Sequence, residues 1–562
     1  MWNQILVMLD MEEENSNFWR NEGEVGTLVP WQETENFRME IYLDANATTP
    51  VLALARTAAQ ATMADTYGNP SSVHGSGLKA RAVLDGAREA ARRVLGASSG
   101  RLLFTSGATE GIQTAVLSVL RALRDRRDAG QAIATQVLYG ATEHKAVPEA
   151  LRHWNDVLGL GLQVLAIPVG QDGRHDLDWL RAHAPDAAMV CTMAANNETG
   201  VISDLDGIAA ALAGSPALWL VDGVQALGKL QLRLLERRID YAPFSGHKLY
   251  APKGIGLLYV REGAPFTPLQ AGGGQEDGQR AGTENMAGIA ALGAVLQALE
   301  GTDVFAPMAL LLTYRARLAA ALAEAFPGLV FNAPLETSLP TTLNFSVPGL
   351  PSKVLLNLFD AAGIRVSGGS ACGAARAQPS YVLQAMGLPA WQTESAVRLS
   401  FGAADGAALI DAACARLRAC GEALRAAPAG GARAWQPAAP ADAGGVAEEA
   451  DVDMAASALQ QLLDSGQPPL LVDVREAYEQ ALQPAALAAQ AAPLSSLGDA
   501  LAAWRELPAE QAVVFLCRSG QRAAQAARAL RAQGHAQAWS LAGGLALWPV
   551  QAAAPVASTA TA

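Results

Sequence analysis

RLLFTSGATEGIQTAVLSVLRAL, residues 101–123, decides how the long first part of this chain folds. A short apolar run leads into Ser-Gly-Ala-Thr, and apolar residues then recur at Ile112, Val116, Val119, Leu120 and Leu123. The run reads as a strand, and the spacing that follows reads as one face of a helix. Small residues between them leave backbone N–H groups open at the helix start, and Thr109 adds a hydroxyl. Such a turn suits a phosphate group. Taken alone, it reads equally as a plain helix start.

The same alternation of short apolar runs and amphipathic stretches continues to about residue 425. It predicts an α/β domain with a largely parallel sheet. Residues 1–38 are acidic and aperiodic, and are expected to be a disordered extension or a mis-called start. After the domain at 39–425 comes an Ala/Pro/Gly-rich linker at 426–452. A second, smaller α/β unit follows at 453–552, and a disordered tail is expected at 553–562. The length of 562 residues exceeds what one core supports.

The charge of −13 argues against general binding of nucleic acid or anionic membrane. No apolar run is long enough to span a bilayer, and the N-terminus lacks the form of a secretory signal. Five cysteines form no CxxC pair and seven histidines show no ligand spacing, so neither a disulfide scaffold nor a metal site is expected. A reducing cytoplasm fits this usage.

Support for the phosphate reading comes from LWLVDGVQALGK (218–229) and DYAPFSGHKLYAPKGIGLLYV (240–260). The first is an apolar strand ending in Asp222, with Gln225 just beyond. The second gathers Ser245, His247 and Lys248 before a Gly-rich turn and another strand. Singly, Lys248 reads as a solvated surface lysine and Asp222 as a strand end. Together with the phosphate turn they suit pyridoxal 5′-phosphate: the lysine carries the cofactor, and the acid keeps its ring nitrogen protonated.

The segments LDANATTP, YGNPSSVH, FTSGATE, TEHKAV, NNETG, VDGVQ, SGHKLYAPKGIG, GGGQEDGQRAGTEN, SGGSAC and PSYVL occur in this order. Over roughly residues 40–420 the chain resembles the cysteine desulfurases, in the branch of the nitrogen-fixation and iron–sulfur-cluster enzymes. The resemblance implies a fold-type-I architecture: a large, mostly parallel-sheet domain plus a small α/β domain. It also implies that Lys248 holds the cofactor and that His144 stacks on its ring and moves protons. Asp222 would pair with the ring nitrogen. Gln225 and Asn197 would face the phenolic oxygen side, with Asn197 also near the substrate, L-cysteine. Ala108, Thr109, Ser245 and His247 would bind the phosphate. Thr283 would reach the phosphate in the partner subunit of a homodimer, and Arg398 would clamp the substrate carboxylate.

Cys372, in SGGSACGAARAQPS (367–380), stands among Gly, Ser and Ala. A buried structural cysteine usually has bulkier apolar neighbours. In the family this cysteine collects sulfur from the substrate as a persulfide, and a loop of small residues lets it travel. Two departures stand out. VDG replaces the usual VDA, so Gly223 is expected to loosen the cofactor modestly. Arg376 adds a charge beyond the cysteine. His74 in YGNPSSVH reads as a supporting residue rather than a catalyst.

In AVVFLCRSGQRAAQAARALRAQG (512–534), Cys517 ends a strand and opens a tight loop before a helix. Loop amides, the helix start, Arg518 and Arg522 would favour its thiolate. Arg518, Ser519, Gly520, Gln521 and Arg522 would wrap a persulfide. This run, with LLVDVREAYE and LAGGLALW, resembles the rhodanese sulfurtransferases over roughly residues 453–550. One turn, ALQPAALAAQAAP (481–493), departs from that family. The two resemblances together suggest a relay from Cys372 to Cys517 and on to an acceptor: an iron–sulfur scaffold, a sulfur carrier or a tRNA-thiolation enzyme. The alternatives are a selenocysteine lyase or another lyase with the same cofactor, its C-terminal module serving only to dock partners.

Overall fold

The computed structural model describes residues 40–301, 304–368, 379–427 and 452–548. Cys372 and Arg376, the extension at 1–38, most of the linker and the tail lie outside these.

Seven strands form the main sheet in the order Arg101–Thr105, Gly256–Val260, Tyr241–Ser245, Leu218–Asp222, Ala187–Met193, Gln136–Gly140 and Gln163–Ile167. Only Gly256–Val260 runs antiparallel to its neighbours. The strands Ala187–Met193, Tyr241–Ser245 and Gly256–Val260 are buried throughout, as a sheet covered on both faces requires. The helix Ala108–Asp128 packs one face with Ile112, Val116, Val119 and Leu120 against the sheet. The helices Gly75–Leu95 and Met286–Glu300 contact each other and add Leu84, Ala87, Leu292 and Val295 to the apolar cluster on the other face. The 101–123 stretch is therefore strand, turn and helix, as its period predicts.

A second body follows. Four antiparallel strands run in the order Ser367–Gly368, Val397–Ser400, Thr342–Ser346 and Val330–Phe331. Helices Met308–Ala325, Ser352–Ala361 and Ala407–Ala426 build its core around Leu318, Phe345, Phe359 and Leu417. The start of the described chain joins this body, with Ile41–Tyr42 pairing parallel to Ile364–Arg365.

The C-terminal unit is a five-stranded parallel sheet ordered Asp453–Met454, Ala538–Leu541, Val513–Leu516, Leu470–Asp473 and Gln490–Ala491. Its helix Ala477–Leu482 lies against Ser352–Ala361 and Ala407–Ala426 of the second body. No helix among the described residues is long and apolar enough to cross a membrane.

Candidate active site

The carboxyl ends of the parallel strands open on a cavity of about 540 Å³, within the usual range for a small-molecule site. Ala108, Thr109, His144, Asn197, Asp222, Gln225, Ser245, His247, Lys248 and Arg398 all line it. Asp222 ends one strand, and Lys248 follows another by three residues. Thr105 and Ser245 both register with Gly256 between them. A Cβ on Gly256 would lie 2.7 Å from Gly107 Cα, so glycine there lets the helix start and Ser245 come together. The helix has no side-chain N-cap at Gly107, leaving its first-turn amides for a ligand.

Lys248 Nζ donates to the Asn46 carbonyl at 2.9 Å, and Gln225 Nε2 donates to the same oxygen at 3.1 Å. Burial pushes the Asp222 carboxyl up despite a bond from the Val224 amide. Burial lowers His144, with Lys248 also opposing its charge while Asp222 favours it. The ring is thus kept neutral, and its Nδ1 accepts from the Ala146 amide at 3.2 Å, which leaves the proton on Nε2. Arg398 is 1% exposed. It donates to the Asn197 carbonyl at 2.8 Å and to Asp44 at 2.6 Å.

Thr283 does not line this cavity. It is exposed, on a separate shallow pocket with Met63 and Tyr67. His74 is also elsewhere: its Nδ1 accepts from Gly77 N at 3.3 Å and caps the helix Gly75–Leu95. The expected loosening at Gly223 needs correction. Phe244 packs where a Cβ on Gly223 would stand, so there is no gap beside it.

In the C-terminal unit, Cys517 follows its strand directly and is 1% exposed. Its Sγ accepts from the Ala523 amide at 3.4 Å. Gly520 adopts φ 89°, a left-handed turn that glycine takes without strain. Leu545 and Ala546 amides hold the carbonyls of Cys517 and Arg518 at 2.8 and 3.0 Å. The two arginines are engaged by carboxylates. Arg522 makes a buried bidentate pair with Glu479 at 2.5 and 2.7 Å, and Arg518 reaches Asp360 of the second body at 2.7 Å. Burial opposes the Arg522 charge, but Glu479 more than restores it, and the Cys517 sulfur adds to the same effect. The four described cysteines are unbridged.

Residues 41–412 match the family model of class-V aminotransferases, and residues 455–550 match that of rhodanese-like domains. The chain belongs to the class-V aminotransferases. A cysteine desulfurase of Cereibacter sphaeroides is 38% identical to it over 374 residues, 66% of this chain and 93% of its own. One from a Nostoc species is 38% identical over 361 residues, 64% of this chain and 87% of its own. A solved NifS-like protein is 33% identical with a TM-score of 0.61, over 69% of this chain and 100% of its own.

This class-V aminotransferase is a pyridoxal-phosphate enzyme, and its cavity fits that cofactor. Asn46 Oδ1, Asn197 Oδ1 and Arg398 Nε are buried without a partner, as expected of groups that await a polar ligand. Asp222, a buried carboxyl at the cavity wall, calls for a cation opposite it, which a protonated ring nitrogen supplies.

No local pattern marks a role for Asp44 or Asn46, although both lie in the LDANATTP segment. Two further residues belong to the site: Glu198, which lines the cavity, and Lys229, which donates to Gln225 Oε1 at 3.1 Å. The spacing of Lys229, four residues beyond Gln225, was the available signal.

Proposed function

We propose that this chain is a cysteine desulfurase that hands its sulfur to its own rhodanese-like domain. The observation that carries the first step is the meeting of Lys248, Asp222, neutral His144 and Arg398 around one cavity. The cofactor, when bound, makes the substrate Cα acidic and the Cβ–S bond labile. Arg398 receives the carboxylate of L-cysteine, its own orientation fixed by Asp44 and the Asn197 carbonyl. Lys248 Nζ moves the α-proton, and His144, with its ring kept neutral by burial, accepts and returns a proton near the thiol. The Cys372 thiol takes the sulfur atom as a persulfide, and the carbon skeleton leaves as L-alanine. The balance is one cysteine and one thiol giving one alanine and one persulfide.

Cys517 is the next acceptor, in a domain that matches the rhodanese-like family. From there sulfur goes to an external protein of iron–sulfur, carrier or tRNA-thiolation type. We read the enzyme as a homodimer in which Thr283 serves the partner's phosphate site. Apolar surface at Met63, 61% exposed, and Tyr67, 77% exposed, flanks Thr283 and supports that reading.

The test is a short pulse of isotopically labelled L-cysteine, followed by mass spectrometry of the peptides holding Cys372 and Cys517. The reading expects labelled sulfur on both in wild type and on neither in Cys372→Ala. Label on Cys372 alone would reduce the C-terminal domain to docking or to another sulfur source. No label on either would remove L-cysteine as the substrate.

A further inference from the structure

The contact between the C-terminal unit and the second body has two parts with different physical characters. The first is apolar. Tyr478, on the helix Ala477–Leu482, is 2% exposed and belongs to the same core cluster as Leu355, Phe359, Ile410 and Leu417. Leu482 packs against that cluster one turn further on. The second is ionic. Arg518, the residue after Cys517, places Nη1 2.7 Å from Asp360 Oδ1, and Arg365 Nη1 reaches the same oxygen at 2.5 Å.

An ion pair with one partner 40% exposed adds little to stability. The buried tyrosine is what holds the two bodies together. What the ionic part adds is a second point of contact at the Cys517 loop itself, apart from the helix that carries Tyr478 and Leu482. Asp360, the last residue but one of the helix Ser352–Ala361, is fixed in turn by Arg365, whose Nε also reaches Glu40 Oε1 at 2.5 Å.

The Cys517 loop is tied to this contact from both ends. Arg522 pairs with Glu479, the neighbour of Tyr478 on the docking helix, while Arg518 crosses to Asp360. Loop and docking helix therefore move as one piece. On the other side, Arg365 leads into Ser367–Gly368. Ser367 Oγ donates to Asp44 Oδ2 at 2.7 Å, and the other oxygen of Asp44 holds Arg398. Cys372 is four residues beyond Gly368, a span of at most about 14 Å even when fully extended. The loop that carries one thiol is thus tied through Asp360 to Arg365, two residues before the strand from which the other departs.

We propose that Arg518, Asp360 and Arg365 form a docking clamp that registers the Cys517 loop for sulfur transfer from Cys372 of the same chain, with Asp360 its positioning residue. This rests on the relay proposed above. In the transfer, the Cys517 thiolate attacks the outer sulfur of the Cys372 persulfide. A new S–S bond forms at Cys517, the S–S bond at Cys372 breaks, and Cys372 leaves as the thiolate. The transferred sulfur carries its proton with it, and no oxidant or reductant is consumed. Fixing the two thiols in one chain replaces a collision between molecules by a local event.

The experiment uses the full-length holoenzyme, a pulse of labelled L-cysteine and rapid quenching, in wild type, Asp360→Ala, Asp360→Asn and Asp360→Glu. The clamp predicts that label reaches Cys372 at the wild-type rate in all four. In the Ala and Asn variants its arrival on Cys517 slows about tenfold or more, while staying independent of protein concentration because Tyr478 and the chain itself still keep the two thiols in one molecule. Asp360→Glu, which keeps the charge, recovers much of the rate. A merely structural role would slow labelling of Cys372 as well, or leave Asp360→Glu as impaired as Asp360→Ala. Wild-type arrival on Cys517 in Asp360→Ala overturns the clamp and leaves the relay standing. Loss of label on Cys372 in both neutral variants also overturns it, since Asp360 would then serve the desulfurase itself. Absence of label on Cys517 in wild type removes the relay, and the clamp with it.

Discussion

The ring of Phe244 fills the space that a side chain on Gly223 would need. A Cβ at Gly223 would stand 2.9 Å from Phe244 Cδ1, 3.0 Å from Cζ and nearer still to Cε1. Phe244 is 1% exposed, in the strand that ends at Ser245, one strand away from Asp222. Glycine after Asp222 is therefore matched by its cross-strand neighbour, which leaves no gap beside it. Gly223→Ala is expected to lower stability by about 1–3 kcal/mol through overpacking, and to weaken cofactor retention because the strain falls next to Asp222. Adding Phe244→Leu should recover part of the loss, a coupling that a double-mutant cycle of unfolding midpoints would measure. An additive pair of effects would refute the steric account.

Lys229 decides which way the Gln225 amide points. Its Nζ donates to Gln225 Oε1, which turns Nε2 toward the Asn46 carbonyl and the cavity. Burial brings Lys229 down to about 7, with the charges of Lys248 and Arg398 adding to the effect. Under the proposed function, Gln225 would then present a donor to the phenolic oxygen of the cofactor. Lys229→Met removes both the orienting bond and a nearby positive charge. Each loss disfavours the phenolate, so the pH at which the bound cofactor's visible absorbance changes should rise by about one unit. An unmoved titration would show that Gln225 is oriented by other contacts.

How much of this was legible in the sequence follows from how the contacts are made. Lys248, Asp222 and Ser245 could be placed because strand ends in a parallel sheet share one edge, so local strand patterns imply a shared site. Asp44 and Arg398 could not be paired that way. They are 354 positions apart, and meet only because Ile41–Tyr42 joins the second body and Asp44 bridges to Ser400. Phe244 beside Gly223 and Arg518 on Asp360 were hidden for the same reason, since neither local period nor composition reports packing across strands or domains. The arginines beside Cys517 were read as thiolate-stabilising from proximity in sequence, while the fold gives each a carboxylate.

Arg398 has committed one Nη to Asp44 and the other to the Asn197 carbonyl, and both bonds hold the guanidinium plane. A lysine offers a point charge in place of that planar fork. Arg398→Lys should raise the KM for L-cysteine by about ten- to hundredfold, the loss of one charge-assisted bond of about 1.5–3 kcal/mol. Steady-state alanine formation reads this directly. A fall in kcat with KM unchanged would place Arg398 on the reacting atoms rather than on the carboxylate.

Glu198 gives the site a pH signature. It is buried beside the cavity, accepts from Ser380 Oγ at 2.6 Å, and is pushed by burial up to about 7, against the lowering effects of that bond and of Arg398 and Lys145. Its ordinary value is 4.5, so the folded chain holds a proton that the unfolded chain releases. The stability it contributes is complete below about pH 4.5 and is lost as the pH rises through about 7. The difference, roughly 2.5 units, corresponds to about 3 kcal/mol. Glu198→Gln keeps a partner for Ser380 and removes the ionisation. Relative to wild type, the variant should therefore gain stability as the pH is raised from about 5 to 8, the window between the two values. Unfolding midpoints of the two holoenzymes across that range provide the check. Parallel curves would mean that Glu198 stays ionised in the folded protein, with Arg398 and Lys145 outweighing its burial.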